Sequence, residues 1–152
     1  MSAPLKQPDL IWFTQPNYKD TRLNIDNTEG IINYASSDAM LSEPIDRTQR
    51  SGYKIGAIVY NVLQNDNTDV PDARIKYPGQ VMTSYLFNYG EMVGDITVVS
   101  GLQKPLKEVQ QELVFDRIIS GSGVFVNVTG FIARQPYGDG FQQFAAYFDN
   151  VN

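Results

Sequence analysis

The sequence contains no cysteine and no histidine. That excludes disulfide frameworks, thiol nucleophiles, zinc sites built on Cys or His, and every Ser-His or Cys-His relay. Any chemistry must come from carboxylates, Tyr, Lys, Arg, amides or backbone dipoles, and neither a metal site nor a cofactor is expected. Cations are scarce as well: 12 Lys and Arg stand against 17 Asp and Glu, a formal charge of -5. Duplex binding draws its affinity from Lys and Arg neutralising phosphates, and no basic cluster occurs, so no nucleic-acid partner is expected. Long apolar runs are missing too. No stretch approaches the roughly 18 apolar residues of a membrane-spanning helix. The segment Met1-Ser-Ala-Pro-Leu-Lys-Gln-Pro8 lacks the apolar core of a secretory signal. The expectation is a soluble, non-secreted protein, cytoplasmic or held within an assembly.

Charged residues make up only 19% of the 152 residues, against an average near 25%, while aromatics reach 12% with Tyr 9 and Phe 8. This is the composition of a packed β-rich chain. Its length suits one domain, residues 1–152, with residues 1–8 as an extended N-terminal arm.

Strand signals dominate. They are Asp9–Thr14, Gly30–Tyr34, Tyr53–Leu63, Val81–Tyr89, Asp95–Ser100, Leu113–Ser120, Val124–Ala133 and Phe141–Phe148, linked by Gly, Pro and Asn turns. The third is apolar on both alternation sets and should be covered on both faces. Pro105–Glu112 has Pro at a first helical position and apolar residues at 106, 109 and 113, which predicts a helical turn or two. Asn65-x-Asn67-x-Asp69 touches a calcium-loop pattern, but Val70 and Lys76 stand where Gly and Glu are needed, so a solvated loop is expected. Strands of this number and spacing predict an all-β fold, an eight-stranded antiparallel barrel or a sandwich.

Ile118-Ile-Ser-Gly-Ser-Gly-Val-Phe125 carries neither the Lys of a phosphate loop nor the helix that follows a nucleophile elbow, and reads as a hairpin turn. Asn127-Val-Thr129 is a glycosylation tripeptide inside an apolar strand pattern, where chance explains it.

Arg50-Ser-Gly52, Gly56 in the two-faced strand, Ser84-Tyr-Leu-Phe-Asn-Tyr-Gly90, Asp95-Ile-Thr-Val98 and Ile119–Phe125 with Gly130 resemble the barrel shared by allene oxide cyclases and dirigent proteins. The likeness spans about residues 38–149. It implies an eight-stranded antiparallel barrel of calycin type, usually a trimer, whose apolar pocket imposes a conformation on a hydrophobic small molecule without a cofactor. The cyclases' first-strand glutamate has no counterpart, Thr14 and Gln15 being nearest, and their cysteine falls on Ile58. The dirigent histidine-aspartate pair is absent, so the likeness carries the scaffold.

In the register this likeness implies, Ile58 faces the lumen with Gly56, Tyr60 and Val62, and Asp116 does so with Val114 and Ile118. Asp116 is the candidate catalytic residue, a desolvated carboxyl serving as general acid; pairing with Arg117 or Arg134 is the competing assignment. Ile58, Tyr60, Tyr85, Asn88 and Tyr147 are the candidate ligand-binding residues. Two functions stand side by side: a barrel enclosing a hydrophobic small molecule and steering its cyclisation or isomerisation, and a non-catalytic structural or assembly subunit. The first requires a lumen of about 300–1,000 Å³. Under either, strands apolar on both sets point to a homo-oligomer or a larger assembly.

Overall fold

The computed structural model describes residues 6–15, 31–43, 53–65, 79–102, 112–138 and 140–149. These form eight strands: β1 (Leu10–Thr14), β2 (Ile31–Leu41), β3 (Lys54–Asn65), β4 (Gly79–Tyr89), β5 (Met92–Leu102), β6 (Val114–Gly123), β7 (Gly130–Gly138) and β8 (Phe141–Phe148). Every strand pairs antiparallel with its sequence neighbours, and β8 returns to β1, closing the barrel through Leu10↔Ala146 to Thr14↔Gln142. Closure removes the sheet edges that would otherwise template aggregation. Among the described residues there is no helix, and none long and apolar enough to cross a membrane. The expected helical turn and the calcium-like loop fall at 103–111 and 66–78, outside the described residues.

Alternation drives the packing. Along β3, Ile58, Tyr60 and Val62 are buried, while Ala57 and Val59 are half-buried and Leu63 is exposed. Along β4, Val81, Thr83, Tyr85 and Phe87 point inward; along β6, Asp116 and Ile118 do so. A period of two places these sets on one wall, and closure turns that wall into the core. Gly56 leaves room for the β4 backbone: a Cβ there would sit 1.9 Å from the Leu86 carbonyl oxygen.

Several strands differ from expectation. β5 is longer at both ends, Met92–Leu102, and β6 continues to Gly123, so the Gly121-Ser-Gly123 read as a hairpin turn is strand paired with β5 and the turn follows it. β2 runs on to Leu41 rather than stopping at Tyr34, because Asp38 and Met40 continue the inward set through the polar stretch Ser36-Ser-Asp38. The expected strand Val124–Ala133 begins instead at Gly130, and residues 124–129 form a succession of turns. Phe125, Val126 and Val128 donate backbone N–H groups to the carbonyls three residues before them, and Asn127 adopts φ 64°. The apolar side chain of Phe125 is turned into one end of the barrel, which is what made the segment read as strand. β7 then extends through Pro136, which sits at a register irregularity where its missing N–H breaks no regular ladder.

Candidate functional site

The antiparallel order divides the barrel into two ends. At one, where β1, β3, β5 and β7 begin, Phe125 closes the lumen against Phe87, ring centroids 4.9 Å apart, and Phe148, 6.1 Å apart. At the other, β1, β3, β5 and β7 end and β2, β4, β6 and β8 begin. On the axis between them stands Trp12, fully buried. Its ring stacks on Phe144 at 5.8 Å and meets Tyr85 and Phe87 edge-on, each at 5.1 Å. From Trp12 to Phe125 the lumen is therefore filled by aromatic rings. Each such ring buries about 150–250 Å², about 4–6 kcal/mol at ~25 cal/mol per Å², so this half is core rather than cavity.

Beyond Trp12 the lining becomes polar. Arg134 lies beside Phe144 across the β7–β8 ladder, and its Nε donates to Asp116 Oδ2 at 2.6 Å, with both side chains almost wholly buried. Burial opposes the charge on Arg134, but the Asp116 carboxylate more than offsets it and holds the guanidinium above its ordinary pKa. Burial raises the Tyr85 hydroxyl well above 10, and Tyr60 and Asp116 nearby raise it further. Tyr85 therefore keeps its proton at ordinary pH and is a hydrogen-bond donor. Three buried polar atoms of this group make no hydrogen bond: Trp12 Nε1, Tyr85 Oη and Asp116 Oδ1. A buried polar group left unpaired costs about 1–3 kcal/mol. Together they present two donors and one acceptor, and Thr14, Asp38, Thr83 and Gln142 are buried polar side chains as well.

Ile58, Tyr60, Tyr85 and Asp116, four of the residues singled out from the sequence, all lie in this lumen. Asp116 is at once inward-facing and paired with Arg134. Asn88 and Tyr147 are not part of the group: Asn88 is exposed near the end of β4, and Tyr147 stacks on Phe131 outside the barrel at 4.9 Å. Both belong to the outward alternation set, with Leu86 on β4 and with Gln143 and Ala145 on β8. Trp12 and Phe144 are additional members, and Arg134 is one of the two partners that the sequence offered as the competing assignment for Asp116. Ser122 is engaged across the β5–β6 ladder with Asp95, donating to its carboxylate.

No family model matches the chain, and no curated protein matches it.

Proposed function

We propose that the barrel binds a neutral, hydrophobic small molecule in the half of the lumen beyond Trp12, with the ligand's polar group held by Tyr85, Asp116 and Trp12. The observation that carries this reading is the set of three buried, unpartnered polar atoms beside the Asp116–Arg134 pair. The pair is neutral as a unit, so it offers hydrogen bonds without attracting a net charge. Arg134 occupies Asp116 Oδ2, leaving Oδ1 to accept a hydrogen bond from the ligand, while Tyr85 is the donor. A carbonyl next to a hydroxyl, or the corresponding enol, matches that complement. In the role implied by the likeness to allene oxide cyclases and dirigents, such a site folds a flexible ligand toward cyclisation or isomerisation with no cofactor.

The chain has a single tryptophan, so its one indole N–H resonance reports this site directly. Adding acetylnaphthalene, a neutral aromatic ketone, is expected to shift that resonance saturably. An indole signal unmoved by acetylnaphthalene and naphthol at saturation would remove the reading.

A further inference from the structure

The outer wall of β6, β7 and β8 carries an aromatic run that nothing in the described chain covers. Phe115 meets Phe131 edge-on at 5.8 Å, and Phe131 stacks on Tyr147 at 4.9 Å. Phe115 is 64% exposed. The run borders a notch with a structural cause. The β6–β7 ladder holds only from Val114↔Arg134 to Arg117↔Phe131: β6 runs on to Gly123 against β5, but β7 begins only at Gly130, after the turns at 124–129, so the end of β6 has no β7 partner. The resulting cavity, about 320 Å³, is lined by Phe115, Arg117, Gly130, Phe131 and Asp149. Arg117 and Asp149 share this cavity, both exposed, yet form no ion pair with each other.

We propose that this face is a two-fold interface between two copies of the chain. An isologous contact requires one patch to complement itself. This one does so: it holds one cation and one anion, held apart, with an aromatic side chain standing next to a cavity. A two-fold axis through the notch sets Arg117 of each copy against Asp149 of the other and lets Phe115 of each enter the other's cavity. Elsewhere the chain's net charge of -5 opposes the approach of a like copy, which favours association at a face whose charges balance. The inference is independent of lumen binding, since none of these residues lines the lumen.

Sedimentation of the full chain tests it. Association is expected at micromolar concentration, with a dimer as the product. Arg117→Asp and Asp149→Arg should each weaken association by at least about tenfold, because each places like charges opposite one another twice. An equimolar mixture of the two variants should recover a heterodimer, since the charges then oppose correctly in both pairs. Phe115→Asp should yield monomer that melts as the parent does when diluted below its association range, which shows that the barrel is intact. A monomer at every concentration, an oligomer indifferent to all three substitutions, or a mixture that fails to recover would each overturn the proposal. So would a monomeric chain whose notch takes up a zwitterionic aromatic amino acid instead.

Discussion

The Asp116–Arg134 pair shows how much one buried ion pair constrains its neighbours. Removing either partner leaves the other charge buried without compensation, at a cost of about 3–5 kcal/mol, whereas replacing both with apolar residues of similar volume is nearly neutral. Urea denaturation should therefore show Asp116→Asn and Arg134→Met each strongly destabilised, and the combination Asp116→Leu with Arg134→Met closer to the parent than either. Additive losses in the double variant would show that the two side chains do not act as a pair. Tyr85 behaves oppositely. Its hydroxyl is buried without a hydrogen bond, so Tyr85→Phe should leave stability unchanged or raise it by up to about 1 kcal/mol, and a loss beyond that would mean the hydroxyl has a structural partner. At this scale the sequence was partly legible. Asp116 was placed inside only by the register that the likeness implies, since the opposite set of that strand, Leu113, Phe115 and Ile119, is equally apolar, and Arg134 could be named as a partner. Trp12 could not be placed, because β1 spans only Leu10–Thr14 and buries Trp12, Phe13 and Thr14 in succession, Phe13 beneath Tyr137 on the outer side. Consecutive burial carries no period.

Among the elements, the turns at 124–129 and the β1–β8 seam hold the plugged end together. Phe125→Ala should cost about 3–5 kcal/mol by opening a void between Phe87 and Phe148, a loss larger than an exposed turn residue would produce. Melting within about 1 kcal/mol of the parent would show that the plug is dispensable. At the seam, Asp9 Oδ2 accepts the Phe148 N–H at 2.8 Å and lies 3.2 Å from Lys6 Nζ. The Phe148 hydrogen bond, with help from Lys6 and against a smaller opposing effect of burial, holds the Asp9 carboxyl below its ordinary 3.8. A carboxyl depressed in the folded state contributes stability that is present above 3.8 and lost as pH falls through the lower folded value. Thermal melts from about pH 5 to about pH 2 should therefore show the parent losing its advantage over Asp9→Asn, the two converging in acid. Parallel curves would deny Asp9 this role. The strands themselves were readable because burial on one face imposes a period of two. The start of β7 was not, because Phe125 is buried from a turn, and hydrophobicity reports burial rather than backbone conformation.

As a whole molecule, the protein is a closed antiparallel barrel whose interior has two chemical halves, packed aromatic rings toward Phe125 and a hydrogen-bonding group beyond Trp12. The all-β class was legible from the number of strands and their spacing, which left a sandwich open beside the barrel; the likeness to the cyclase and dirigent scaffold was what pointed to closure. The division of the lumen was not legible, since that depends on which residues from β1, β4, β6, β7 and β8 meet across the axis, and closure sets this register rather than any local pattern. Gly56 marks how tightly the wall is drawn: Gly56→Ala must move a backbone carbonyl at 1.9 Å and should cost at least about 2 kcal/mol, a figure a melt near the parent's would refute. The measurement that bears most directly on the lumen as a binding site is the affinity of acetylnaphthalene for the parent and for Tyr85→Phe, read from the emission of Trp12. One saturable site is expected in the parent, with affinity lowered about threefold to tenfold in Tyr85→Phe, which removes a hydrogen bond of about 0.5–1.5 kcal/mol while the fold remains intact, and with weaker binding of the anion naphthoate. Equal affinity in parent and variant, or a preference for naphthoate, would contradict it.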